Sequence, residues 1–286
     1  MSEKITFTNS RGQSVDIANR PPYLLSNPNG LGDVNADIQR QKAPLQDGST
    51  FIDSVLDERI LNFEVAIIGD NEADVEEKRV YLASVFNPKL GEGLLRFKNE
   101  YGIKEIKAVA DGVPTFPSGT ENRGRTYQRS IVNLICPDPY WKSLSVTEEP
   151  AFEGLFSFPF EGEFQMGMQR DRRIINNDGN APAPLQVEFF GPALNPKIIN
   201  NTTGEYIKVN QNLLEGEIMK IDTSDTNKSV VFIGVDGSVR NVFNWIDLNS
   251  TFFKLVIGEN DIEYTADSDI QGAIVNISYS KLYTAV

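Results

Sequence analysis

At 286 residues the chain is long enough for about two domains of ordinary size, and at 40% hydrophobic residues each can bury a core. The formal charge is −13, with an acidic excess in both halves, so neither half offers the basic footprint that binding to a phosphate backbone needs. There is no histidine and a single cysteine, Cys136, which excludes Ser-His and Cys-His triads, histidine-based zinc sites and any intrachain disulfide.

The opening MSEKITFTNS lacks the apolar core of a signal peptide, and no run approaches the ~20 apolar residues of a membrane span. A soluble protein made in a cytoplasm, with no membrane insertion, is expected. ITFTNSRGQSVDI alternates around a Gly-containing turn and reads as a hairpin. Pro21 and Pro22 hold the next residues extended, Asn27 to Gly32 reads as a loop, and residues 34–58 read as a broken meander. The clearest strand covers residues 59–68. Leu61, Phe63, Val65 and Ile67 make its buried face, opposite Ile60, Asn62, Glu64, Ala66 and Ile68.

One helix is predicted, over residues 71–86. Asp70 or Asn71 can cap it, acidic residues fill its first turns, and Val75, Leu82 and Phe86 form an inner stripe with the stem of Arg79. Asn87-Pro88 stops it. The acidic run reads as a solvated face. Strands are predicted at residues 93–97, 103–110 and 128–135. Between the last two lies ADGVPTFPSGTENRGRTY, a long loop whose Arg123 and Arg125, with Arg129 beyond, put local positive charge on an acidic protein. It reads either as a solvated loop or as an arm that clasps an acidic neighbour such as another copy of the chain, with Pro114, Phe116, Arg123 and Arg125 as the candidate contacts. Cys136, in the run SIVNLIC, reads as a buried small hydrophobe. Two prolines at 137 and 139 mark a domain junction, giving domains 1–141 and 142–286.

In the second half, Phe152, Phe156, Phe158, Phe160 and Phe164 fall mostly at even spacing, the period of a strand, and are expected to plug a sandwich core or its edge. Residues 173–222 carry short apolar runs separated by Gly179, Gly191, Gly204 and Gly216, the rhythm of an antiparallel β-sandwich. The Asn-rich turns at 176–180 and 200–204 suit left-handed backbone. Further strands are expected at 220–223, 229–235, 241–248, 251–257 and 271–282, with a turn at Asp236-Gly237 and another at 258–260.

Several of these stretches resemble, in order and spacing, the siphophage distal tail protein (Dit) family. In the first half they are LNFEVAIIGD, the helix ending Phe86-Asn87-Pro88, Gly93-Leu94-Leu95-Arg96-Phe97, a long loop, and IVNLICPDPYW. In the second half they are NDGNAP at 177–182, Asn195-Pro196-Lys197-Ile198, Thr203-Gly204-Glu205 and Gly258-Glu259-Asn260. The resemblance spans roughly residues 1–141 and 173–265. It implies a mainly β chain whose N-terminal, one-helix domain closes a hexameric ring around the genome's exit channel, and whose C-terminal domain is a galectin-like antiparallel β-sandwich. The implied partners are other copies of the chain, the tail tube protein, a tail fibre or tail-associated lysin protein and the tape measure protein. The implied location is the virion tail tip. No cofactor, metal or catalytic residue comes with it.

Other chemistry is weighed beside this. A glycosidase needs two facing carboxylates; Glu205, Glu217 and Asp222 are available, none in a distinctive motif. Asp222, Asp225, Asp236 and Asp247 lie near turns without a calcium-loop pattern. The galectin-like shape invites a sugar-binding reading, in which Trp245, with Asn244 and Asp247 near it, stacks on a host glycan. Its apparent alternation with Phe243 on one strand favours a core position instead.

Overall fold

The computed structural model describes residues 3–148, 152–154, 167–169, 172–267 and 274–286, with 152–154 and 167–169 as strands whose side chains are left undescribed. The predicted plug of Phe152, Phe156, Phe158, Phe160 and Phe164 therefore lies outside the described residues. The chain divides into two compact units, Met1–Leu144 with Tyr283–Val286, and Ser145–Leu282. No described helix is long and apolar enough to cross a membrane.

In the first unit, β1 (Lys4–Thr8) and β2 (Ser14–Ala18) form the opening hairpin. β2 runs parallel to β3 (Tyr23–Asn29), which takes in part of the expected 27–32 loop. A separate ribbon follows, β4 (Ala36–Gln41) and β5 (Thr50–Leu56), then β6 (Arg59–Ile68). Helix α1 (Glu72–Val85) precedes β7 (Gly93–Asn99), β8 (Gly102–Ala110), β9 (Tyr127–Cys136) and β10 (Trp141–Ser143). The sheet order β8-β7-β1-β2-β3-β6-β9 is closed by a β8–β9 pairing, so these strands make a barrel, with β10 added beside β8. The closing contact is short, Val109 with Ile135 and Ala110 with Leu134.

The alternation of β6 works as the sequence predicts. Leu61, Phe63, Val65 and Ile67 are buried in the barrel, while Ile60, Asn62, Glu64 and Ala66 face out. α1 is capped by Asn71, whose side chain accepts from the Asp74 amide. It seals one side of the barrel with Val75, Leu82 and Val85, and Phe86 just beyond it stacks on Phe7 with centroids 4.6 Å apart. Each such buried side chain contributes about 1.5–3 kcal/mol through lost water contact. Asn9 ties the hairpin turn to this helix end: its Nδ2 donates to the Val85 carbonyl, and its Oδ1 accepts from the Arg11 and Gln13 amides.

Arg59 is fully buried at the start of β6. Its Nε donates to the Pro139 carbonyl, its Nη1 to those of Gly30 and Asp33, and its Nη2 to that of Thr284. Gly30 sits at φ +88°, and a Cβ there would meet the Ile60 carbonyl oxygen at 2.0 Å, so only glycine fits. Tyr283–Val286, which the sequence reading leaves in the second domain, groups with the first unit. Strand Leu282–Tyr283 pairs with β10, Lys104 lies over the Tyr283 ring at 4.3 Å and donates to the Ala285 carbonyl, and Val286 packs on the core.

Cys136 ends β9 inside this core, and burial pushes its thiol up to about 12. The thiolate is the nucleophile that attacks thiol reagents, so at about pH 8 the native protein should resist labelling and react fully once unfolded. A chromogenic disulfide reagent reads this directly. Native labelling as fast as that of a free thiol would contradict the buried position.

In the second unit, β11 (Val146–Glu148) is followed by a pair, β12 (Phe152–Gly154) and β13 (Gly167–Gln169), and by β14 (Arg172–Asn177). Then come β15 (Leu185–Phe190), β16 (Ala193–Leu194), β17 (Lys197–Asn200), β18 (Glu205–Lys208) and β19 (Asn212–Leu213). β20 (Ile218–Asp222), β21 (Ser229–Ile233), β22 (Val239–Asn241), β23 (Gly258–Thr265) and β24 (Ile274–Tyr279) complete the unit. One sheet has the order β11-β24-β15-β20-β21-β22 and the other β14-β23-β17-β18. Val187, Phe189, Ile221 and Ile277 from the first meet Ile198, Ile207, Ile262 and Tyr264 from the second in one buried cluster, with Phe189 edge-on to Tyr264. This is the expected β-sandwich.

Three expectations are corrected here. Residues 241–248 do not form a strand. The Asn241 side chain accepts from the Phe243 amide, that of Asp247 accepts from the Asn249 amide, and Phe243–Trp245 turns as a 3₁₀ helix. Residues 251–257 do not form a strand either; Leu255 makes an isolated bridge to Ala183, and the Thr251 amide donates to the Tyr206 carbonyl of β18. At 176–180 no residue takes left-handed backbone. Buried Asn177 holds that turn through the Gly179 amide and the Ala181 and Leu255 carbonyls, and Gly179 is needed for space, since a Cβ would lie 2.7 Å from the Leu282 oxygen.

Candidate assembly surfaces

The ribbon β4–β5 is the largest departure from the usual burial pattern. Every side chain of β4 is exposed, and so is every one of β5 except half-buried Leu56. Partners across an antiparallel pair share a face. Ala36 with Leu56, Ile38 with Ser54 and Arg40 with Phe51 occupy one face; Asp37 with Val55, Gln39 with Asp53 and Gln41 with Thr50 occupy the other. One face is thus mainly apolar, with Ile38 58% and Phe51 63% exposed, and the other is polar and acidic. An isolated two-stranded ribbon is marginal in water, and exposed apolar groups of this kind mark interaction surfaces. From sequence alone, residues 34–58 read as a broken meander with no role. TFIDSVL carries its apolar residues as adjacent pairs, Phe51-Ile52 and Val55-Leu56, without the alternation of a half-buried strand, so it pointed to no core.

The loop between β8 and β9, where the candidate contact residues lie, is folded onto its own unit. Pro114 is buried, Phe116 packs against the core beneath the Arg79 guanidinium at 4.6 Å, and Thr115 bridges to Ile131. The buried Gln128 side chain donates to the carbonyls of Pro117 and Asn122 and pins the loop. Arg123 and Arg125 stay exposed. Arg123 faces Glu72 at 3.5 Å and Glu76 at 3.9 Å on α1, so part of the acidic helix face is paired. Arg125 and exposed Arg129 make no ion pair among the described residues. Beside Arg129 a cavity of about 130 Å³ opens, lined by Ser26, Glu64, Pro117, Asn122 and Ile131.

The ribbon and this arginine end lie at opposite ends of β6. The ribbon is rooted beside Arg59, where the Asp57 amide donates to the Asn35 carbonyl. Tyr127, next to the arginines, pairs with Ile68 at the other end. Ten strand residues separate the two ends, a span of about 33 Å.

In the second unit, Trp245 stands on the 3₁₀ turn, half-buried against the core, with the Arg240 guanidinium 5.7 Å from its ring. Phe243 stacks on Phe252 instead of alternating with Trp245. Apart from Glu205, the candidate carboxylates are engaged locally. Asp222 accepts from Ser224, Gln186 and Asn227; burial alone would raise its carboxyl, but these bonds bring it below the usual range. Asp225 pairs with Lys254, Asp236 accepts from the Ser238 amide, Asp247 accepts from Tyr206, and Glu217 faces Arg240. Among the described residues no three acidic or thiol groups gather into a metal-holding cluster.

Residues 10–136 match a sequence family described as the phage tail protein RIFT-related domain, and residues 178–283 match one described as the C-terminal domain of siphovirus-type tail components. The fold is similar to the crystal structure of SPP1 Dit, a hub of the adsorption apparatus in phages infecting Gram-positive bacteria. The TM-score is 0.69 at 14% identity, over 97% of this chain and 98% of that one. It is also similar to a chain of the phage P2 baseplate in its activated conformation with Ca, with a TM-score of 0.56 at 9% identity and full coverage of both chains. No curated protein matches the chain by sequence.

Proposed function

Because the chain belongs to the siphovirus-type Dit family of distal tail proteins, structural components of the phage tail tip, we propose that it works by closing into a ring of like copies, six in number as the family resemblance implies. The ring joins the tail tube and tape measure protein on one side to the tail fibre or tail-associated lysin protein on the other, and leaves a central passage for the genome. The observation that carries this reading is the ribbon β4–β5. It is an amphipathic element with no core of its own to cover its apolar face, and it is rooted in a closed barrel. An acidic protein suits a passage for DNA, since its charge repels the phosphate backbone.

Sedimentation velocity over a range of concentrations, with negative-stain images of the main species, tests it. The wild-type chain is expected to show a ring with a central hole. Ile38→Lys with Phe51→Lys should stay monomeric with an unchanged circular dichroism spectrum, because both positions are exposed in the single chain. Equal association of variant and wild type would remove the ribbon from the mechanism.

A further inference from the structure

We propose that the outer face of the six-stranded sheet docks a basic amphipathic helix of another protein, along an apolar row that crosses five of its strands. Strand register builds the row. Phe190 of β15 lies opposite Ile274 of β24 on one side and Ile218 of β20 on the other. Ile218 lies opposite Ile233 of β21, and Ile233 opposite Val239 of β22. Their chain neighbours Phe189, Met219, Phe232 and Val275 belong to the buried cluster, so the row points away from the core. The outward face of a half-solvated antiparallel sheet is normally polar. The next row keeps to that rule with Asn276, Glu188, Lys220 and Asn241, broken only by Val231. Apolar pairs across strands stabilise a sheet by themselves, but here the apolar surface runs on past the strands. Leu214 and Val235, on the turns that precede Ile218 and follow Ile233, are 55% and 81% exposed. The two turns touch, since a Cβ on Gly216 would lie 2.9 Å from Cγ2 of Val235. Strand pairing does not account for these two side chains, and a continuous exposed apolar surface marks an interaction site.

Shape and charge select the occupant. The row is four strand spacings long, about 19 Å, with its side chains about 4.8 Å apart. A helix laid along it advances about 5.4 Å per turn, so about 13 residues cover the row with one turn over each strand. A strand laid the same way presents a side chain to it only every ~6.8 Å and falls out of step. The i, i+3, i+4 and i+7 positions of the helix supply the matching apolar face. On one flank of the row the two turns carry Glu215 and Asp236, both exposed and in no ion pair among the described residues. On the other flank Glu188 and Lys220 neutralise each other. Basic residues beside the helix's apolar face complement the open acids. Two copies of this chain set row on row would instead bring their acidic rims together, on chains that each carry a charge of −13.

Two helical probe peptides of about 14 residues, titrated onto the full chain and followed by fluorescence anisotropy, test the site. One is built of Leu and Lys with Leu at the i, i+3, i+4 and i+7 positions, and the other has Glu in place of Lys. The Leu-Lys peptide is expected to bind at least about tenfold more tightly than the Leu-Glu peptide. Val235→Lys with Val239→Lys should weaken it at least about tenfold, with an unchanged circular dichroism spectrum because both positions are exposed. Phe190→Thr with Ile233→Thr, which keeps charge and strand preference, should weaken it by about as much. Glu215→Gln with Asp236→Asn should cost about threefold or more, while Asp37→Asn with Asp53→Asn, the same change in net charge on the other unit, should cost less than about twofold. Equal weakening by those two neutralised pairs would reduce the binding to general charge attraction and overturn the site. Undiminished binding to the Val235, Val239 and Phe190, Ile233 variants would do the same. So would self-association of the wild-type chain that the Val235 and Val239 substitutions abolish, since a second copy would then be the occupant. The ring reading stands or falls separately, on the Ile38 and Phe51 variant.

Discussion

Replacing Arg59 with alanine is expected to cost the first unit about 3–5 kcal/mol, because several buried carbonyls lose their donor at once. The side chain is fully buried and its donors go to backbone carbonyls from three separate stretches, at Gly30 and Asp33, at Pro139 and at Thr284. Its charge is balanced by carbonyl dipoles, and burial lowers its pKa from the usual arginine value. Alanine leaves those carbonyls without a donor, at about 1–3 kcal/mol for each one that water does not reach. Lysine keeps the charge but lacks the planar fork, so Arg59→Lys should fall between alanine and wild type. Trp141 is the reporter: it is buried and its Nε1 donates to the Leu31 carbonyl in the same cluster. Denaturant unfolding followed by tryptophan fluorescence, in a Trp245→Phe background, gives the difference. A loss under about 1 kcal/mol would mean that water or neighbouring groups replace the guanidinium freely.

The second large effect is expected in the other unit, at Asn260. It too is fully buried. Its Nδ2 donates to the carbonyls of Val256 and Gly258, and its Oδ1 accepts from the Val256 amide and the Asn200 side chain. These bonds fix the point where the irregular segment 251–257 enters β23. Asn260→Ala should cost about 2–4 kcal/mol, the sum of unmet backbone groups and a small cavity. Asn260→Asp separates the two causes. It retains the acceptor but buries a carboxylate beside carbonyl oxygens, which raises its folded pKa above the unfolded value. Its penalty should therefore be full at neutral pH and shrink as the pH falls toward the carboxylate range, the reverse of the usual aspartate pattern. Thermal unfolding of both variants at two pH values reads the sign. A penalty for Asn260→Asp that grows in acid would contradict the buried donor role.

What could be read from the sequence follows from where the residues point. β6 and α1 were legible because each has one buried face, and the period of that face is written in the apolar spacing. The sandwich was legible from turns at short intervals. The ribbon was not, because an element exposed on both faces leaves no mark that separates it from a loop. The stretches 241–248 and 251–257 have strand-like composition, but side chains of Asn241, Asp247 and Asn260 capture nearby amides and break the ladder. Arg59 reads as an ordinary charged residue at the start of a strand, since nothing local shows that carbonyls from residues 30, 33, 139 and 284 converge on it. The arginine end was noticed for its charge, while its fixed, folded-back form depends on Gln128 and Phe116 finding partners distant in sequence.

The return of Tyr283–Val286 to the first unit has a consequence for how such proteins can diversify. The barrel hands the chain over after β10 and takes it back through the strand paired with β10, so exit and re-entry are neighbours. Residues 145–282 therefore occupy the position of a cassette spliced into a surface turn. A replacement whose ends lie a strand's width apart would keep the pairings of β1 to β9 and change only the Leu282 end of the strand paired with β10. A truncation that kept the cassette and lost the last four residues would not, since it removes the Thr284 carbonyl from Arg59 and the Tyr283 ring from Lys104.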